Sequence, residues 1–421
     1  MSSDVGMAVT LAPILILLTL PAIARQSRRE RDRAVFWLLT VALVLKFAAT
    51  LLRHYVTFEV YNEADAAAYH QAGVALAPVI LRGDWGAVPH PLTELNLLGF
   101  ITGLIYAVLG PSTIGGFLVF SWLGFWGLFY FYRAFHLAVP EGRARSYARL
   151  IFLLPSMLYW TSSIGKEAWM MFALGIAAFG VARMLTGSPV PGIALTGVGL
   201  WFAALVRPHI ATIAAGGLVV AYMLRRSTRE RVPLASVAKA ITLVGLFAVV
   251  LFLFRDAEEY LTRSKVNPRA GVASVSRDIA ARTFQGGSAF APHPVMESPA
   301  EAPQAIFTVL FRPTIVEADN VQGAAAAAEA SFLLLLSLVR IPWVLAAFHS
   351  LRRQPYLIFA LVGVGLFIVA LSVLANFGLL ARQRTLLMPL YLAFVAVPPR
   401  PRAHEGSSRY EPELVTWGEA A

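Results

Sequence analysis

The chain has 421 residues, 58% of them hydrophobic and only 14% charged, with a mean hydropathy of +0.66 and a formal net charge of +11. Soluble globular domains carry about a quarter charged residues, so this composition excludes one and points to a polytopic membrane protein. The absence of cysteine excludes disulfide frameworks, thiol nucleophiles and thiolate metal sites, and the positive charge is assigned to membrane topology rather than to nucleic acid.

A hydrocarbon core of about 30 Å requires about 20 apolar residues in a helix. By that measure the expected spans are 7–24, 34–52, 114–132, 148–163, 166–185, 190–205, 208–224, 238–254, 331–348, 356–374 and 384–397. The first resembles a secretory signal through Ala22-Ile23-Ala24, but its leading segment carries Asp4 while the arginines follow it, so a retained anchor is expected. The run from Leu97 to Leu109 is shorter and covers only about 20 Å. Its Asn96, Gly99, Gly103 and Tyr106 share one helical face, and it is read as a juxtamembrane helix lying in the interface.

Basic loops at Arg25–Arg33, Arg133–Arg149, Arg225–Lys239 and Arg352–Arg353 then all fall on the cytoplasmic side. The expected fold class is all-α: a transmembrane helix bundle of about eleven spans with its N-terminus outside. Residues 1–397 form a single membrane domain and 398–421 a polar cytoplasmic tail. Two long segments, 53–113 and 255–330, face outward together, and the stretch from Pro292 to Pro303 reads as irregular.

The first outer segment reads as a short helix at 61–70, with Asn62, Asp65 and Tyr69 on one face and Glu63 and His70 beside them. At the next outer turn Pro155 kinks the rising span, and Thr161-Ser162-Ser163 and Gly165 lead into Lys166-Glu167. Lysine is scarce here, four residues among 35 basic ones, and Lys46 is read as snorkelling outward. Arg207 and His209, Arg312, and Arg382 and Arg384 join the same level. Guanidinium groups match phosphate oxygens, so with Lys166 these residues point to an anionic substrate at the outer surface. The expected spans carry no Asp or Glu away from their ends, which argues against ion coupling. Arg340 falls near the middle of one span, where its role stays open.

An outer-loop Asp soon after a span, His90-Pro91-Leu92, a juxtamembrane helix ending in Leu109-Gly110-Pro111-Ser112, a span closed by Tyr132-Arg133-Ala134-Phe135 and then a Pro-containing span succeed one another. Over roughly residues 34–210 this order resembles the integral-membrane GT-C glycosyltransferases, which include protein O-mannosyltransferases and lipid A aminoarabinose transferases. The resemblance implies transfer of a sugar from a polyprenyl-phosphate donor to a glycan, lipid or protein acceptor at the outer face of a bacterial plasma membrane. Asp65 would be the general base, with Lys166, Arg207, Arg312 and Arg382 on the phosphate and Tyr69 and His209 orienting substrate. The adjacent acidic pair of the mannosyltransferase branch is interrupted here by Ala64, which leaves Glu63 open as the base. No cofactor is expected, since no nucleotide loop appears; a divalent metal stays open, although the acidic residues lack metal-ligand spacing. Two other functions remain open: a polysaccharide polymerase or ligase, echoed by Arg312 and Gly323 with ten residues between them, and a lipid or polysaccharide transporter without ion coupling.

Overall fold

The computed structural model describes residues 2–60, 64–225, 233–263, 266–267 and 270–399, and the regular structure among them is helical, with no strand. Glu63, Asn62 and the tail beyond 399 lie outside the described residues. The helices run α1 (Ser2–Glu30), α2 (Arg33–Tyr55), α3 (Ala64–Leu81), α4 (Glu94–Leu109), α5 (Thr113–Ala138) and α6 (Ala144–Leu153). They continue with α7 (Pro155–Tyr159), α8 (Lys166–Leu185), α9 (Pro189–Ala204), α10 (Pro208–Leu224), α11 (Pro233–Arg263) and α12 (Val272–Thr283). The last six are α13 (Ala302–Phe311), α14 (Val321–Val339), α15 (Ile341–Ser350), α16 (Pro355–Leu371), α17 (Phe377–Arg384) and α18 (Met388–Phe394).

Among the described residues five helices are long and apolar enough to cross a membrane: α1, α2 with its following turn, α5, α8 and α14. A sixth is added if α15 and α16, bent by 118° at their junction, count as one. Several expected elements are redrawn. The span at 148–163 is broken into α6 and α7, because Pro155 holds Leu154 in extended backbone. The short helix at 61–70 extends as α3 to Leu81.

The span expected at 331–348 begins earlier, at Val321, and stops at Arg340, where Pro342 opens α15. Glu329 therefore lies near the middle of α14, 6% exposed, and the expectation of no carboxylate inside a long apolar helix is overturned. Pro303 sits in the first turn of α13, where the missing N–H costs nothing, so the irregular stretch ends before it.

Contacts sort the helix ends into two levels. At one, Arg145 holds Asp32 at 2.5 Å, Tyr132 donates to Glu30, Ser350 to Glu141, and Arg340 to the Ser146 hydroxyl and the Val395 carbonyl. Three of the four basic loops meet there, and Arg340 belongs to that end rather than to mid-bundle. At the other level Ser112 donates to Asp4, His54 meets Thr113, and Lys166 pairs with Glu94.

Small residues set how closely the helices approach. The glycine face read in α4 is buried, but against α3: a Cβ on Gly99 would stand 2.7 Å from that of Ala72, and one on Gly73 2.5 Å from Thr102. Helix pairing, rather than the membrane interface, explains that pattern. Along α5 the same device admits α8 and the turn before it. A Cβ on Gly124 would meet the Thr161 carbonyl at 2.6 Å, and one on Gly175 the Gly127 carbonyl at 2.2 Å. Backbones this close gain dispersion that larger residues would forbid.

Gly175→Ala is expected to lower stability by about 1–3 kcal/mol through overpacking. Gly197→Ala, with nothing within 4 Å of the added carbon, is expected to leave the protein as stable or slightly more so. Thermal unfolding in detergent compares them, and equal midpoints would refute the close α5–α8 approach.

Candidate functional site

The polar level opposite the basic loops is organised by Glu167, the second residue of α8, which is 2% exposed. Its Oε1 accepts from Arg207 Nη2 at 2.9 Å and its Oε2 pairs with Arg382 Nη2 at 2.8 Å. Arg207 caps α10 and is itself buried, with Pro208 setting the first helical turn. Arg382 arrives on α17 and also reaches Asp65 Oδ2 at 3.6 Å. Asp65 opens α3 and is 62% exposed, so it stands at the mouth of the cluster while Glu167 forms its floor.

Tyr69, one turn deeper on α3, is buried. Its phenol is pushed up by burial and by the negative Asp65 and Glu167, which keeps it a protonated donor facing the same charges. Lys166 Nζ meets Glu94 Oε2 at 3.2 Å, and the Glu94 amide donates to the Leu205 carbonyl. Glu94 joins α4 to the α9–α10 hairpin and holds a left-handed backbone at φ 46°, a conformation few non-glycine residues adopt.

A buried polar network fixes this arrangement from below. Lys46, read from sequence as snorkelling, is 1% exposed and donates to the Met157 carbonyl at 3.1 Å, Thr161 Oγ1 at 2.6 Å and Ser162 Oγ at 3.1 Å. An ammonium has three donors, and all three are satisfied. Ser121 on α5 links Ser162 to Thr50 on α2. The turn that presents Lys166 and Glu167 is thus clasped between α2 and α5.

No protein-family model, curated protein or solved structure matches this chain. The site therefore rests on its own geometry.

That geometry brings together Asp65, Tyr69, Lys166, Glu167, Arg207 and Arg382. His209 lies beside them, its ring 5.2 Å from that of Tyr260. Two buried polar atoms here lack a partner among the described residues: Arg207 Nη1 and His209 Nδ1. The remaining expected residues are placed elsewhere. His70 Nδ1 bonds the Tyr106 hydroxyl at 2.8 Å, pinning α3 to α4, and burial pushes its pKa down.

Arg312 is paired with Glu317 and stacked 4.9 Å from the rings of both Phe290 and Phe377. Burial pushes Glu317 up, but the bonds from Arg312 and Thr314 outweigh it and leave its carboxyl below the usual range. Arg384, 1% exposed, donates to the carbonyls of Leu310 and Arg312. Both arginines clasp the segment that ends α13 to α17, with their donors turned to protein groups rather than to the cluster. Among the described residues no three His, Cys, Asp or Glu side chains converge as metal ligands.

Removing Glu167 leaves two guanidinium groups facing each other in a buried site. Glu167→Ala is expected to cost about 3–5 kcal/mol of stability, the usual penalty for breaking a buried ion pair. A combined Glu167→Leu, Arg207→Leu protein should recover part of it. Chemical denaturation in detergent tests this; an unaffected single variant would show that the carboxylate is not the anchor.

Proposed function

We propose that the chain is an integral-membrane glycosyltransferase that moves a sugar from a polyprenyl-phosphate donor to a cell-envelope acceptor, in the manner of the GT-C enzymes it resembles. The observation that carries this reading is Arg207 Nη1: a buried guanidinium donor left without a partner, beside two further cations, at the mouth of which stands a carboxylate. An unsatisfied buried donor is costly, and a phosphate oxygen is the acceptor that suits it best.

In this reading the acceptor hydroxyl attacks the anomeric carbon and its proton passes to Asp65. The bond from that carbon to the phosphate oxygen breaks, and the electron pair leaves with the phosphate. Lys166, Arg207 and Arg382 stabilise the charge that gathers there. Arg382 touches both Asp65 and Glu167, so it holds the base beside the departing group. Glu167 keeps the two guanidinium groups together against their mutual repulsion.

The proposed topology has eleven crossings: α1, α2, α5, α6 with α7, α8, α9, α10, α11, α14, α16, and α17 with α18. The N-terminus and the Glu167 cluster face outside a bacterial plasma membrane. The support is that three of the four basic loops meet at one end of the bundle and the cluster lies at the other. One observation favours a transporter instead, namely Glu329 inside α14, because intramembrane carboxylates commonly serve translocation.

Three measurements test the proposal. In this cysteine-free chain, Asp84→Cys should react with an impermeant thiol reagent on intact cells and Arg352→Cys should not; the reverse pattern inverts the orientation. Arg207→Gln should weaken binding of a polyprenyl phosphate about tenfold or more, and undiminished affinity would remove it from the donor site. Asp65→Asn should slow glycosyl transfer by about 10²–10⁴-fold while donor binding survives, the loss expected for a positioned base. If Glu63→Gln is the inactive variant instead, the base is Glu63; if neither slows transfer, the glycosyltransferase reading fails and transport becomes the better account.

A further inference from the structure

α13 carries no charged residue, and apart from Gln304 in its first turn it is apolar on both faces. Ala305, Val309 and Leu310 are buried, while Ile306 and Phe307 are 44% and 41% exposed. The turn that follows presents more apolar surface, with Ile315 72% and Val316 95% exposed, and Val321 opens α14 at 87%. A helix apolar all round belongs in a protein interior or in lipid, and half of this one is outside the interior. α12 is the contrast within the same segment. It carries Arg277, Asp278 and Arg282, the last two in an exposed ion pair at 3.2 Å, as a helix in water does. α13 packs against α14, α16 and α17. α14 is long and apolar enough to cross a membrane, and its Phe332, Leu335 and Leu338 are exposed too. A mostly apolar cavity of about 790 Å³ between α2, α7, α14 and α17 opens on the flank of the bundle, where Leu52, Val60 and Val321 are exposed, and extends that surface. Arg384, two residues past the Arg382 that reaches Glu167, donates to the Leu310 and Arg312 carbonyls, which sets the end of α13 near the level of the cluster.

We infer that α13 and the turn at 313–317 form a lipid-binding surface that inserts into one leaflet of the membrane, with Ile306, Phe307, Ile315 and Val316 among the acyl chains. Length sets the geometry. Ten residues rise about 15 Å, half of a hydrocarbon core of about 30 Å, so the element cannot cross and lies within the leaflet on the Glu167 side. Lipid offers no hydrogen bonds, so polar groups that enter it must be satisfied by the protein. The turn meets that condition. Arg312 Nε donates to Glu317 Oε1 at 2.9 Å, and Glu317 Oε2 accepts from the Thr314 amide and hydroxyl. The Glu317 amide donates to the Thr314 carbonyl, and Arg384 takes the carbonyls of Leu310 and Arg312 at the end of α13. The same bonds hold the turn fixed with Ile315 and Val316 facing outward. Glu301 and Asp319, exposed at the two ends of the stretch, stay at the headgroup level and limit its depth. Continuity with the exposed apolar side of α14 makes the occupant lipid rather than a second protein. The surface stands or falls without the glycosyltransferase reading, and it holds whichever side of the membrane the cluster faces.

Bimane attached to single cysteines in this cysteine-free chain, with the full protein in phosphatidylcholine nanodiscs, tests the inference. Labels at Phe307→Cys and Val316→Cys should lose fluorescence when the acyl chains are brominated and keep it in iodide. A label at Ala281→Cys, exposed on α12, should do the reverse. Val316 is 95% exposed, so replacing it removes little packing and the variant keeps its fold. Val316→Asp in a chain labelled at Ile315→Cys should turn that label from bromolipid quenching to iodide quenching, because a carboxylate resists entering hydrocarbon. Iodide quenching at Phe307 and Val316 would place the element in water and overturn the inference. Protection from both quenchers would mean that protein, such as a second copy of the chain, covers the surface, and an Ile315 label unmoved by Val316→Asp would show that the turn is not in lipid; either result overturns it as well.

Discussion

A carboxylate that is 2% exposed at the start of an apolar helix cannot stay ionised without partners, and that constraint on Glu167 shapes the end of the bundle opposite the basic loops. Its two guanidinium partners come from Arg207 at the α9–α10 hairpin and from Arg382 on α17, so one side chain ties together elements far apart in the chain. The pairing satisfies Glu167 completely. It satisfies the cations incompletely, since Arg207 keeps a buried donor without a partner. A site that over-supplies donors at a shielded position is suited to an anion, and the surplus is a property of the fold rather than of any one residue.

The position of Glu167 depends in turn on the turn before it. That turn carries no regular structure, yet it is held from two sides. Gly116 and Gly124 on α5 let the backbone of Thr161 and the side chain of Ile164 approach as closely as atoms allow. Lys46 on α2 binds Met157, Thr161 and Ser162 with all its donors. Burying an ammonium is expensive, and three oxygen acceptors with good geometry are what make it tolerable. The rigidity of the cluster therefore originates in buried polar contacts below it, where the apolar helices alone would leave the turn free to slide.

The residues that could be read in the sequence were those whose local signal agreed with their tertiary role. Arginines in short outer loops run against topological bias, which singled out Arg207 and Arg382, and Asp65 with Tyr69 shared a helical face that the structure turns toward them. The same reasoning could not separate Arg382 from Arg384, or Arg207 from Arg312, because the partner decides the role. Glu317 and the Phe290–Phe377 stack claim Arg312, and two carbonyls claim Arg384. Glu329 is not marked in the sequence, because the five-alanine run before it, though apolar, does not show where a helix begins to be buried. Lys46 looked like a snorkelling residue because its three acceptors lie far along the chain. His70 was grouped with Tyr69 by adjacency, but successive helical residues point about 100° apart, and Tyr106 takes it.

That rotation has its largest consequence in α17. Arg382 and Arg384 are two residues apart and so project in directions about 200° different around one short helix. One reaches the Glu167 cluster; the other lines the flank cavity near Glu329. The helix is held at its start by Asn376, which caps Leu379 and bonds Gln285 and Ser288, and by the stacking of Phe377 on Phe290 at 4.2 Å. Arg312 lies against both rings and also lends its carbonyl to Arg384. The segment from Gln285 to Arg312 thus sets the register of α17, and any turn of that helix about its axis moves both arginines at once. The polar cluster and the apolar cavity are two faces of one wall, and the clasp formed by Arg312 and Arg384 is what fixes which face each presents.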